Sequence, residues 1–301
     1  MRSTIDVDGR QRTMTIVGDP EAQQARDLVL VLHGSKQTGA KHRAFTGGMY
    51  DAFAASGTAV VVYLDGYRGN WNDARRQSGF PARLEGIDDV GFVRAVIRDL
   101  GATHGIDPDR VFVIGYSNGG QMATRLVHEV PELLAGVTVV AATMPTRDDF
   151  LLPTETPATT PLPILLVHGT ADPIAPYAGG AMKPWAQRFF KVGGSALSAR
   201  DTAAYFARRN GISTPGVVDR IPSDGHGSTW MEQVDHREDG RMPVRLVTVH
   251  RGGHTVPGPK RAPFVLGRTG HDSSVAAAAA AFFGIGGRRA EDGSRASRHA
   301  G

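Results

Sequence analysis

Three loops of this chain hold the residue types that together move an acyl group. Gly115-Tyr116-Ser117-Asn118-Gly119 sets a serine between two glycines, His168-Gly-Thr-Ala-Asp172-Pro-Ile174 carries a carboxylate, and Gly252-Gly-His254-Thr-Val256-Pro-Gly258 carries a histidine. A neutral serine hydroxyl is a poor nucleophile, so a histidine must take its proton and later return it to the leaving group. A carboxylate fixes the tautomer of that histidine and stabilises its charged form. Ser117 therefore reads as nucleophile, His254 as base and Asp172 as acid. His226 is the second choice for the base and Asp224 for the acid. The tetrahedral oxyanion also needs aligned N–H donors. The backbone of Asn118, at the start of a helix, and of Ser35, in the turn His33-Gly34-Ser35, are the candidates. His33 and His168 each precede a glycine at a strand end and read as structural histidines bonded to loop backbone. No pair of histidines has the spacing of a zinc helix, so neither a metal nor a cofactor is expected.

Each candidate must be brought to one place by the elements before it. Val111–Ile114 is a continuous apolar run suited to a strand buried on both faces, and Met122, Leu126 and Val127 after it recur at helical spacing. Strand, Gly-x-Ser-x-Gly, helix is the context in which a serine sits on a sharp turn, with small neighbours giving it room. Leu28–Leu32, Ala59–Tyr63, Val137–Ala141, Ile164–Val167 and Val244–Val249 read as further buried strands. Ser35, Asp172 and His254 each follow one of them, as Ser117 follows its own. The sheet would gather all four at its carboxyl edge despite their separation in sequence.

Between these strands, Met49–Ala55, Ile87–Leu100, Ser198–Asn210 and Ser273–Phe283 read as helices, the last capped by Asp272 or Ser273. Asp88 and Asp89 favour the dipole of the second of these helices. Ser3–Ile16 reads as an antiparallel hairpin about Asp8-Gly9. Pro215–Asp239 is polar and irregular, with room for short strands. His254, on a glycine-flanked loop, is expected to be exposed and mobile. Trp71 and Trp185, with Phe189 and Val256, are expected to line a substrate pocket, although each could equally anchor a loop. Tyr177–Gly194 reads either as a short cap over the site or as a surface excursion.

The chain has 301 residues, 41% hydrophobic and 21% charged, which suits one large α/β domain over residues 1–286. Residues 287–301 read as a disordered tail. The net charge of +4 shows no basic face for nucleic acid, and with no cysteine there is neither a disulfide nor a thiolate site. No apolar run is long enough to span a bilayer and no signal peptide is visible, so no membrane partner and a cytoplasmic location are expected.

Taken together, Leu32-His-Gly-Ser-Lys-Gln37, the Ser117 motif and the Asp172 and His254 loops resemble the polyhydroxybutyrate depolymerase, feruloyl esterase and acetyl xylan esterase group of α/β-hydrolases. The resemblance runs from about Asp6 to about Phe283. It implies a mostly parallel, doubly wound sheet with an N-terminal antiparallel hairpin. It also implies a serine ester hydrolase acting through an acyl-enzyme on a small or oligomeric ester. Many relatives carry Cys at the position of Ser35 and Trp at that of Val256. Acyl transfer, thioester or peptide hydrolysis with the same three residues, or a non-catalytic binding role, stand as alternatives. The oligomeric state is open.

Overall fold

The computed structural model describes residues 1–20, 25–152, 160–223 and 227–287. In chain order, β1 (Arg2–Val7) and β2 (Arg10–Val17) form a hairpin in which Asp8 and Gly9 take positive φ (51° and 74°). A two-residue turn of that kind matches the twist of its strands. There follow β3 (Arg26–Leu32), α1 (Gly39–Phe45), β4 (Ala59–Leu64), α2 (Pro81–Leu84), α3 (Asp89–Thr103), β5 (Ile106–Tyr116), α4 (Asn118–Glu129), β6 (Gly136–Val140) and β7 (Ile164–Gly169). The last part holds β8 (Gly180–Ala181), α5 (Pro184–Phe190), β9 (Ser195–Ala196), α6 (Ala199–Arg209), β10 (Val217–Arg220), β11 (Trp230–His236), β12 (Val244–His250) and α7 (Val275–Phe283). Met49–Ala54 is a 3-10 helix rather than the α-helix expected.

One ten-stranded sheet runs β1-β2-β4-β3-β5-β6-β7-β12-β11-β10, and β8 pairs only with β9. The six strands from β4 to β12 in that order are parallel to one another. Their central residues are mostly apolar because both faces are covered. Alternate residues serve opposite layers. Leu28, Leu30, Val113 and Leu166 pack with α3, α4 and α6, whereas Val29, Val31, Ile114 and Val167 pack with Met49–Ala54 and α7.

At the far edge, β10 and β11 add antiparallel strands in the stretch expected to be irregular. Every residue of β10 is exposed, so no apolar alternation marks it. The cap of α7 is Ser274, which accepts from Ala277 N–H, rather than Asp272 or Ser273. Asp88 caps α3, accepting from Gly91 N–H at 2.7 Å. Asp89 is not a surface dipole charge. It is fully buried, 2.6 Å from Arg12 of β2, and accepts from Asn72 N–H at 2.7 Å. Burial raises its pKa, and the Arg12 guanidinium opposes that rise. Among the described residues no helix is long and apolar enough to cross a membrane. The expected tail falls outside the described residues from 288 onward.

Candidate active site

Ser117 stands on the turn from β5 into α4 with φ 54° and ψ −115°, a conformation that costs a residue with a Cβ on the order of 1–3 kcal/mol. Its neighbours show why the turn demands glycine. A Cβ on Gly115 would lie 2.2 Å from Gly119 O, and one on Gly119 would lie 2.2 Å from Leu32 O. Strand β3 and the first turn of α4 are thus in backbone contact, which holds the serine above the sheet edge. Ser117 N–H donates to Val140 O at 2.8 Å, tying the turn to the end of β6.

Asp172 lies three residues beyond β7 and is buried. Its Oδ1 accepts from Ile174 and Ala175 N–H, both at 2.8 Å, and its Oδ2 lies 2.7 Å from His254 Nδ1. Burial is the largest single influence on this carboxyl and acts to raise its pKa. His254 with its hydrogen bond, then His168 and the Ile174 N–H, outweigh burial and hold the pKa below the usual value. An ionised Asp172 only accepts, so the His254 proton sits on Nδ1. Nε2 is left to accept from Ser117 Oγ, 2.8 Å away.

His254 is not exposed and mobile as its glycines suggest. It is only 4% exposed. Gly253 N–H donates to Arg268 O and His254 N–H to Leu266 O at 2.7 Å, while Tyr116 Oη donates to His254 O at 2.8 Å. The glycines serve close backbone approach here rather than freedom. Nothing in the sequence singles out Tyr116, which fills the unrestricted position before the serine of Gly-x-Ser-x-Gly. His168 Nε2 donates to Ala175 O at 2.9 Å and lies 3.5 Å from Asp172 Oδ2; burial lowers its pKa. His33 Nε2 accepts from Gly66 N–H and its Nδ1 donates to Gly34 O. Both histidines bond to loop backbone. Asp224 and His226 lie outside the described residues.

Ser35 and Asn118 line a small pocket together with Ser117. Neither N–H has a hydrogen-bond partner among the described residues. Around them the loops are tied down. Gln37 Oε1 accepts from Gly34 N–H, and Lys36 N–H donates to Gly69 O at 2.7 Å. The Asn118 side chain accepts from Trp71 N–H at 2.9 Å and donates to Asp73 Oδ2 at 2.6 Å.

Beside Ser117 a cleft opens, with Gln121, Ile174, Met182, Val192 and His254 in its walls. Arg75 reaches it too, held in place by the buried Asp73 carboxylate. The expected pocket residues are elsewhere. Trp71 is fully buried, with Nε1 donating to His33 O at 2.8 Å, so it anchors the loop under Ser35. Val256 packs into the core beneath α7, and Trp185 is 53% exposed on the outer side of α5. The Tyr177–Gly194 segment does flank the cleft, through Met182, Val192 and Gly193. Among the described residues no group of three His, Asp or Glu side chains could hold a metal ion.

Residues 72–192 match the phospholipase/carboxylesterase family. The chain is 34% identical over 271 residues to the putative esterase NocK of Nocardia uniformis subsp. tsuyamanensis, spanning 88% of this chain and 76% of that protein. It is 24% identical over 196 residues to feruloyl esterase B of Piromyces equi, covering 65% of this chain and 34% of that one. Among solved structures, the acetyl xylan esterase from Aspergillus awamori superposes with a TM-score of 0.57 at 16% identity, covering 86% of this chain and 95% of that chain. This last likeness is one of fold.

Proposed function

The chain belongs to the esterase-type α/β-hydrolases, and from that premise we propose that it cleaves carboxylic esters through an acyl-enzyme formed on Ser117. One observation carries the reading: the unbroken contact from Ser117 Oγ to His254 Nε2 at 2.8 Å and from His254 Nδ1 to Asp172 at 2.7 Å. Ser117 Oγ attacks the ester carbonyl as its proton passes to Nε2. The resulting oxyanion takes the N–H groups of Ser35 and Asn118, and removing one such donor costs about 3–4 kcal/mol of transition-state stabilisation in other hydrolases. Collapse of the tetrahedral intermediate breaks the bond to the alcohol oxygen, which receives the proton from Nε2. Water, deprotonated by the same nitrogen, then attacks the acyl-enzyme and releases the acid. The proton transfers between Ser117 and His254 use groups already in hydrogen-bond contact, so these three side chains need little rearrangement before reaction.

The apolar walls at Ile174, Met182 and Val192 favour an apolar acyl or aryl group in the cleft. Small or oligomeric esters of the kind named for the relatives, feruloyl and acetyl esters, are the substrates to try first. Residues 1–286 act in this reading as one catalytic unit around the single large sheet. The test compares wild type with Ser117→Ala on p-nitrophenyl acetate, butyrate and octanoate, with methyl ferulate alongside. Wild type should hydrolyse at least one ester, and the variant should lose on the order of 10³-fold or more in kcat. Equal rates for the two proteins would remove Ser117 from the reaction.

A further inference from the structure

Helix α5 buries Ala186, lends Phe190 to the pocket of Ser35 and Ser117, and turns Trp185 and Phe189 outward. Trp185 and Phe189, one helical turn apart, are 53% and 57% exposed. Exposed Lys183, Arg188 and Lys191 surround them. No Asp or Glu occurs between Asp172 and Asp201, a stretch with four cations, of which, among the described residues, Arg200 alone reaches an acid, Glu232. The inward side chains of the same segment, Met182 and Val192, line the Ser117 cleft. The cationic, aromatic side of α5 is therefore the outer rim of the cleft.

The loop that carries His254 repeats the pattern. Phe264 is 96% and Val265 is 77% exposed, although each belongs to a residue type normally kept from water. Exposed Lys260, Arg261 and Arg268 flank them, and no acid occurs from residue 240 to residue 271. Leu266 of this tip accepts the His254 N–H, which fixes the tip to the catalytic loop. Both segments leave the carboxyl edge of the sheet, one after β7 and one after β12, which are adjacent parallel strands.

We propose that the α5 rim and the Phe264–Leu266 tip dock the mouth of the cleft onto an anionic lipid surface. Trp and Phe with an aliphatic neighbour insert at headgroup depth, and Lys and Arg beside them attract anionic headgroups. Neither half of the pattern is explained by another partner. Nucleic acid would use the cations and leave Phe264 and Val265 in water. A neutral polyester film would use the apolar side chains and leave the acid-free stretches without a role. Docking requires no spanning segment, so the absence of a long apolar run in the sequence does not bear on it. It would present the cleft to esters dissolved in or extending from the lipid layer.

The test is sedimentation of the full chain with vesicles of phosphatidylcholine alone and of phosphatidylcholine mixed with phosphatidylglycerol. Binding should be at least about tenfold stronger to the anionic vesicles and weaken as salt rises. Tryptophan emission should shift to the blue through Trp185, the exposed one of the three, since Trp71 is buried and Trp230 is stacked on His250. The double variant Lys183→Glu/Arg188→Glu should lose about tenfold in anionic-vesicle binding while keeping wild-type hydrolysis of a soluble ester. Phe189→Ser/Phe264→Ser should lose binding at unchanged charge. Failure to bind anionic vesicles overturns the proposal. So does equal binding to neutral vesicles or to a neutral polyester film that the charge variant does not alter. Anionic binding that survives the loss of both phenylalanines also overturns it, since it would then be a simple charge effect. These readouts are independent of whether Ser117 is the nucleophile.

Discussion

At the scale of single residues, the proposed mechanism assigns Ser35 a role through its backbone and none through its hydroxyl. Ser35→Ala should therefore keep kcat within a few-fold of wild type. Ser35→Pro, which removes the N–H, should lower it by about 10²–10³-fold. Both are read from steady-state hydrolysis of a p-nitrophenyl ester, and a large loss with alanine would contradict the assignment. That Ser117, Asp172 and His254 come together was readable because each follows a buried strand to the same edge of the sheet. The pocket residues were not. Trp71 lies on a loop near the site, yet the bond from its Nε1 to His33 O draws it under the Ser35 turn rather than into the cleft. Tyr116 Oη donates to His254 O, 138 residues away, and nothing local announces that contact, whereas Arg75 is held by its near neighbour Asp73.

Among the elements, the legible ones were those with uniform burial. The strands from β3 to β7, and β12, read as apolar runs because helices or turns cover both of their faces. Strands β10 and β11 lie at the edge, are largely exposed or half-exposed, and carry mixed polar sequence, so no period marked them. The junction of β2 with α3 hid a different feature. Arg12 is 4% exposed and Asp89 not at all, and the two form an ion pair between a half-buried hairpin and the helix that supports the nucleophile strand. Arg12→Ala would leave a buried carboxylate without its cation, which costs about 3–5 kcal/mol. A urea titration should show that loss as a lower midpoint at unchanged slope. A change within about 0.5 kcal/mol would mean that water replaces the arginine and that the pair adds little.

For the molecule as a whole, three histidines, His33 and His42 buried and His128 half-buried, set a dependence of stability on pH. Burial lowers the pKa of His33 to about 4, of His42 to about 3 and of His128 to about 4. In the unfolded chain each titrates near 6.5. Above that value both states are neutral and the full stability is present. As pH falls below it the unfolded chain takes up protons that the folded protein refuses, so stability drops until the folded pKa values are reached. Calorimetry should show Tm falling steadily from pH 7 to pH 4.5. His128→Gln, which also leaves a partner to Tyr205 Oη, should make the fall shallower. A flat Tm across that range would show that the three histidines do take up protons in the folded state. None of this was visible in the sequence, where a histidine's burial depends on which layer of the fold closes over it.

The central claim is that Ser117 is the covalent nucleophile, activated by His254. Intact-mass spectrometry after treatment with a fluorophosphonate tests it most directly. The account predicts a single phosphonyl adduct on wild type, mapped by peptide analysis to Ser117. The adduct should be absent from Ser117→Ala and should form far more slowly on His254→Ala. An adduct on another serine, or equal labelling of Ser117→Ala, would contradict it.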